Sequence, residues 1–389
     1  MRAPRHAVYG GGAGAAFSSC ALLRGPRLAL ALLAAAAAAT ALASMAQLSG
    51  AQVRRMLPAS SRPPLRVAAQ NMWLDAAVVL AELESLLVPI AWAAGGVGLI
   101  AVDVSAPQEV QLAAADVILF GPYGDRNASG AVARAHRGHA LTVFIGGENQ
   151  WQGGYHDQMV PDVHIALGHR RDLVAPNYMR LPWWLPYVLD ASAPLYAPPR
   201  FSPRLRRRDG AAAWAARPRA AALLSSHAAF PRRELFELFN RSGLSVDAPG
   251  KFLHNTEWPA GLPNHHLRGK VEFLERYRYN ICPENSRSGG GGGYNTEKLP
   301  QALMAGAVPV YWGDPIDADV FNVERVIEYD GVSDASVMDI VVQLETDAAF
   351  REQWFSRPVL VSAADAWMGA WFAEVVALWR AGAASLRAV

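Results

Sequence analysis

Cysteine is nearly missing from this sequence. Cys20 and Cys282 are the only two in 389 residues. Two thiols make neither a disulfide framework nor a cysteine-built zinc site. Charge is scarce as well. Asp, Glu, Lys and Arg make up 18% of the chain, against about 25% in an ordinary globular protein. The net charge is only +2. That excludes a disordered charged tail and gives no electrostatic footprint for nucleic acid. A glycine run is present, but no Gly-Lys-Ser/Thr follows it, so it is not a P-loop. Metal triplets are also lacking. Asp317-Ala318-Asp319 has suitable letters, but it follows Gly313-Asp314-Pro315 and reads as a loop or helix cap.

Hydrophobic residues amount to 52%. Alanine inflates that figure, since it buries little area. At ~100–200 residues per domain, the length argues for two domains. One long apolar run exists, Leu28 to Ala46, with 19 residues and no charge. It is long enough to cross ~30 Å of hydrocarbon as a helix. One reading makes residues 1–27 a cytosolic tail, 28–48 a transmembrane signal-anchor and 49–64 a stem, with the bulk of the chain outside. The rival reading is a cleaved signal peptide, with Ala41-Leu42-Ala43 as the small-x-small site and a secreted product.

Beyond residue 64 the chain alternates strand and helix. Strands are predicted at 65–69, 98–102, 116–120, 141–145 and 163–167, with a helix over 75–87. The alternation breaks across the proline-punctuated stretch 181–209. It then resumes with strands near 221–224, 279–282, 308–312 and 325–329. Helices are predicted at 232–239, 271–277, 296–305, 334–344 and 363–379. Such alternation predicts two α/β halves, each a Rossmann-like domain with a parallel sheet, over residues 65–200 and 201–389. Ligands of such sheets bind at the carboxyl ends of the strands, so a cleft between the halves is the expected site.

One segment concentrates the chemistry. A strand ends at Cys282 and delivers Glu284 and Asn285 to its carboxyl edge. The glycines from Gly289 to Gly293 follow, then Tyr294, then a helix whose first turn holds Glu297 and Lys298, with Thr296 as its cap. A helix N-terminus beside a lysine suits a phosphate. Tyrosine can stack on a base, and a carboxylate can accept ribose hydroxyls. The set therefore suits a sugar nucleotide. The plain alternative is a surface loop before an ordinary helix.

The string Glu284-Asn285-Ser286, then Tyr294-x-Thr296-Glu297-Lys298-Leu299, then Ala305-Gly306-Ala307-Val308-Pro309-Val310-Tyr311-Trp312-Gly313 resembles the donor-binding signature of the α1,3/4-fucosyltransferases, glycosyltransferase family 10. Gly147-Glu148-Asn149 with Tyr178-Met179-Arg180-Leu181-Pro182-Trp183 resembles that family's acceptor-side motifs. Ser225-Ser226-His227 with Arg233-Glu234-Leu235-Phe236 resembles its phosphate-meeting element.

The resemblance implies the GT-B glycosyltransferase fold, with two Rossmann-like domains facing across a cleft. It implies inverting transfer of L-fucose from GDP-β-L-fucose, usually to O3 of N-acetylglucosamine. It also implies a type II Golgi membrane protein working in protein glycosylation. The partners would be GDP-fucose, a glycan or glycoprotein acceptor, and the membrane. GDP-fucose would be a substrate, with no tightly bound cofactor and no divalent metal required. Glu148 would be the general base. Arg233 and Lys298 would neutralise the diphosphate. Tyr294 and Glu297 would hold the nucleoside, and Asn285 would line the donor pocket. Read without the family, Glu148 has a turn carboxylate as its lesser alternative, and of Arg232 and Arg233 only one can face a cleft, with the Arg-x-x-Phe spacing favouring Arg233. Asn127 and Asn240 head two N-glycosylation sequons, short patterns that also occur by chance.

Overall fold

The computed structural model describes residues 62–148, 156–207, 210–263, 267–288 and 292–386. The apolar run at 28–46 lies outside them, as do Gly289 to Gly291 of the glycine run and Asn149. Among the described residues no single helix is long and apolar enough to cross a membrane.

The first half holds strands β1 (Leu65–Gln70), β2 (Leu99–Ala101), β3 (Val117–Phe120), β4 (Leu141–Gly146), β5 (Ile165–Gly168) and β6 (Tyr178–Arg180). Its helices are α1 (Ala76–Glu82), α2 (Glu84–Gly95), α3 (Gln108–Ala114), α4 (Arg126–His136), α5 (His156–Met159) and α6 (Leu185–Val188). The six strands form one sheet in the order β2-β1-β3-β4-β5-β6. Every pairing in it is parallel.

The second half adds α7 (Ala211–Ala215), β7 (Arg219–Leu223), α8 (Arg232–Arg241), β8 (Val246–Asp247), α9 (Leu267–Leu274), β9 (Tyr277–Ile281), α10 (Lys298–Met304), β10 (Val308–Tyr311) and β11 (Ile327–Glu328). Helices α11 (Asp334–Thr346), α12 (Ala348–Ser356) and α13 (Ala364–Ser385) close the chain. Its sheet runs β11-β10-β9-β7-β8, also wholly parallel.

Two parallel sheets therefore stand where the alternation predicts them. β3 shows why such strands read as unbroken apolar runs. Val117 and Leu119 enter one buried cluster, while Ile118 and Phe120 enter another on the opposite face. A parallel sheet covered on both faces needs apolar side chains at every position. The strands that periodicity missed, β6 and β8, have three and two residues. Segments that short carry no readable period.

Both sheets reverse strand order once. The chain steps outward from β1 to β2 and from β7 to β8, then returns to add β3 and β9 on the other side. The carboxyl ends of β1 and β3 thus diverge, as do those of β7 and β9, and each divergence opens a crevice.

The halves are tied together by packing and by charge. Helix α13 does not stay with the second sheet but packs along α2. Trp371 Nε1 donates to the Arg180 carbonyl at 2.9 Å, and Arg380 to the Ala93 carbonyl at 2.5 Å. Asp317 gives the same link from the opposite direction. Its buried carboxylate accepts from Arg171 at 2.6 Å, from Arg180 at 2.9 Å and from Trp184 Nε1 at 2.6 Å. All three donors belong to the first half. Two arginines hold the carboxyl below its usual pKa despite burial. Asp317 lies in a loop, as its sequence context suggests, and its carboxylate serves to join the halves.

His164 is a buried histidine whose Nδ1 receives the Thr142 backbone N–H at 3.1 Å. Burial, with Arg137 nearby, pushes it down to about 4 from 6.5. The unfolded chain therefore binds this proton near 6.5, while the folded one waits until about 4. Protons favour unfolding inside that window, so stability falls as pH drops through it. Urea melts should lose roughly 2–3 kcal/mol between pH 7 and 4 through this group. A His164→Asn variant should show a flatter pH dependence there.

Candidate functional site

The β7/β9 crevice is lined with cations. A cavity of ≈ 20 Å³ there is bounded by Leu223 and Leu224 at the end of β7, and by Asn280, Cys282 and Pro283 on β9 and beyond. Arg232, Lys270, Glu297 and Lys298 complete it. Arg232 is 2% exposed. Its guanidinium donates to the His227 carbonyl at 2.8 Å and to Asn285 Oδ1 at 2.6 Å. The Asn280 amide oxygen is buried and has no hydrogen-bond partner among the described residues.

This corrects the sequence reading of Arg233. Its side chain is 57% exposed, pairs with Glu237 on the same helix and lies over Phe252. On a helix, neighbours point about 100° apart, and it is Arg232 that turns inward.

Glu284 organises the second cation. It is wholly buried. Its carboxylate accepts from Thr296 N at 2.6 Å, Thr296 Oγ1 at 2.7 Å and Lys298 Nζ at 3.0 Å. Thr296 is therefore not a helix cap. Both its donors go to Glu284, and α10 begins only at Lys298. A seven-residue helix with no capping side chain is a weaker anion site than the predicted one, so the charge of Lys298 matters more. Burial opposes that charge, but Glu284 and Glu297 outweigh it and raise the Lys298 pKa. Glu297 is itself held down to about 2. Burial resists this, while Lys298 and Lys270 overcome it. Lys270 Nζ stands 3.4 Å from Glu297 Oε1.

Asn285 and Tyr294 stand beside this group. Asn285 Nδ2 donates to the Tyr294 hydroxyl at 3.3 Å. The Tyr294 ring is 2% exposed and packs edge-on against His169 of the first half, with centroids 5.2 Å apart. It is a packed ring here rather than an open stacking face. Asp314 clamps the described ends of the glycine run. It accepts from Ser288 N on one side and from Gly293 N and Tyr294 N on the other, all at 2.8 Å. Gly293 has φ +116°, and a Cβ there would stand 2.4 Å from the His169 carbonyl oxygen. Only glycine fits that approach.

The first-half crevice is different in kind. A cavity of ≈ 140 Å³ is lined by Trp73, Pro122, Tyr123, Gly147, Glu148, Trp183 and Tyr187. These residues follow β1, β3, β4 and β6. Four of the seven are aromatic, and Glu148 is the one charged residue. Glu148 Oε1 accepts from the Tyr123 hydroxyl at 2.6 Å. Trp183 meets Trp73 edge-on at 5.3 Å and Tyr187 at 6.2 Å. Trp184, by contrast, faces the core, where it meets Phe321. A Cβ on Gly147 would lie 2.4 Å from Trp183 Cε2. Gly147→Ala should therefore displace the indole and lose about 1–3 kcal/mol, seen as a lower melting temperature with altered tryptophan fluorescence.

The two crevices are electrostatic neighbours. Burial raises the Tyr294 phenol well above its usual pKa, and Glu284, Glu148 and Glu297 add to it. Tyr187 responds likewise to burial and then to Glu297, Glu82 and Glu148. So Asn285, Tyr294, Glu297 and Lys298 come together, Glu148 stands in the adjoining cavity, and Arg233 stays outside. Sequence reasoning missed Lys270 and Tyr123, for which no local signal existed. A lysine in mid-helix reads as solvated, and a tyrosine before Gly-Asp reads as a turn.

Both sequon asparagines lie in helices. Ser129, which completes the Asn127 sequon, is buried and accepts from Asn71. The Asn240 amide donates to the Phe236 carbonyl and accepts from Val246 N.

Crystal structures of an α1,3-fucosyltransferase match this architecture. The form with GDP aligns with TM-score 0.52 and 20% identity over 84% of this chain and 95% of that one. A second structure gives TM-score 0.54, with 20% identity over 83% and 94%. The chain has the α1,3-fucosyltransferase fold. Sequence similarity points the same way. Alpha-(1,3)-fucosyltransferase FucT of Helicobacter pylori is 31% identical over 97 residues, 24% of this chain and 20% of that protein. GDP-fucose protein O-fucosyltransferase 3 of Xenopus laevis is 33% identical over 81 residues, 18% of this chain and 15% of that protein. The matched segments thus span a fifth or less of these curated relatives. No family model matches the chain. The resemblance to the fucosyltransferase family read from the motifs holds in both sequence and fold.

Proposed function

We propose that the chain is an inverting α1,3-fucosyltransferase that moves L-fucose from GDP-β-L-fucose to a hydroxyl, O3 of N-acetylglucosamine in a glycan. The observation that carries this reading is the pairing of the two crevices. Arg232 and Lys298 line one, and Glu148 stands in the aromatic-walled other. The acceptor hydroxyl attacks C1 of fucose from the face opposite the diphosphate. Glu148 takes the hydroxyl proton. The C1–O bond breaks with its electron pair going to the β-phosphate oxygen. Arg232 and Lys298 supply positive charge where that negative charge develops. Glu297, ionised between two lysines, accepts hydroxyls of the donor in this reading.

The reading extends to a type II membrane protein of the Golgi acting in protein glycosylation. The uncharged run from Leu28 to Ala46 supports that extension.

The test is a donor and acceptor screen on the purified chain. GDP-fucose with an N-acetyllactosamine or chitobiose acceptor should yield a product heavier by one deoxyhexose, 1,3-linked by NMR. Fucose appearing only on serine or threonine of a folded protein acceptor would move the reading to the acceptor named for the Xenopus relatives. GDP binding without transfer to any acceptor would make the chain a binding module.

A further inference from the structure

Tyr123 reaches the Glu148 carboxylate from the turn that follows β3. Its hydroxyl is 2.6 Å from Glu148 Oε1. The turn that carries it is fixed from below. Gly121 N donates to the Gln70 carbonyl at 2.9 Å, and Tyr123 N to the Asn71 carbonyl at 3.1 Å. Asn71 adopts φ 55°, and its amide donates to buried Ser129 at 2.7 Å. A Cβ on Gly121 would stand 2.2 Å from the Asn71 carbonyl oxygen, so the turn and the end of β1 are in tight contact. The turn thus fixes where the Tyr123 side chain starts, while the residue itself stays 38% exposed.

We propose, resting on the fucosyl-transfer reading, that Tyr123 is a positioning residue for Glu148: its phenol fixes one carboxylate oxygen and leaves the other to take the acceptor proton. Among the described residues that line the cavity, the Tyr123 hydroxyl is the group hydrogen-bonded to the Glu148 carboxylate. The Trp73 indole, which lines the same cavity, is already committed to Glu82 Oε2 at 2.7 Å. The phenol is a dependable donor. Burial first, then the Glu148 charge, push its pKa well above the usual value, so it keeps its proton. No proton passes through Tyr123. The step it assists is unchanged: the hydroxyl proton goes to Glu148 and the leaving electrons to the diphosphate.

The experiment uses four full chains: wild type, Tyr123→Phe, Glu148→Gln and the double variant. Phenylalanine keeps the ring and hence the cavity wall. With saturating acceptor, Tyr123→Phe should lower kcat by about 10- to 100-fold, while the KM for GDP-fucose stays within about twofold. In the Glu148→Gln background the same change should have little further effect, because Tyr123 acts through the missing carboxylate. A Tyr123→Phe kcat near that of wild type, or an equal loss in both backgrounds, would overturn the proposal and leave the transfer reading standing. Wild-type protein that binds GDP yet transfers no fucose would overturn both.

Discussion

Glu148→Gln is expected to lower kcat by about 10²–10⁴-fold, the span ordinarily supplied by a positioned general base. Donor affinity should be retained, because Glu148 lies in the aromatic cavity and not in the cation-lined one. Glutamine preserves size and still accepts a hydrogen bond from Tyr123, so the change removes basicity with little else. Steady-state kinetics beside calorimetry with GDP would check it. Full activity would exclude Glu148 as the base. A loss confined to donor KM would place it with the nucleotide instead.

Lys298 is expected to show the largest combined effect on binding and stability. Lys298→Met leaves Glu284 wholly buried and without its counter-charge. Breaking a buried pair from one side typically loses about 3–5 kcal/mol. A drop in GDP affinity in that variant alone would therefore be ambiguous. Glu284→Gln with Lys298→Met separates the two effects. Stability by urea unfolding should recover to within about 1–2 kcal/mol of wild type, since neither member of that pair is left charged. GDP binding should remain weaker by about 2 kcal/mol or more, the worth of a charge-assisted contact to phosphate. Recovery of GDP affinity in the double variant would show that Lys298 holds only Glu284 and meets no phosphate.

The two sites differed in how readable they were. The donor segment is nearly continuous in sequence. Glu284, Asn285, Tyr294, Thr296, Glu297 and Lys298 fall within fifteen residues, so their kinship showed as a motif. The roles inside the motif did not show. Thr296 reads as a cap because Thr-x-x precedes a helical stretch, yet Glu284 takes both its donors. That exchange arises because β9 delivers a buried carboxylate directly opposite Thr296, and such contacts between elements leave no local spacing to read. The sequence pointed to Arg233 instead of Arg232 for the same reason. Helical phase separates the two, but only the packed position of α8 says which phase is inward.

The sequence by itself determined the chain's class: two parallel α/β sheets, few thiols, one carboxylate-bearing motif and one cation-bearing motif. Strand periodicity and buried apolar runs are local properties, so they survive without coordinates. Only the tertiary structure decided which side chains share a cavity. Strand order puts the ends of β1, β3 and β4 together, and so brings Trp73, Tyr123 and Glu148 around one space from positions 73, 123 and 148. The same holds for the link between the halves, where Asp317 meets Arg171 and Arg180 across more than a hundred residues. Contacts between residues so far apart depend on topology, and topology is a property of the whole fold.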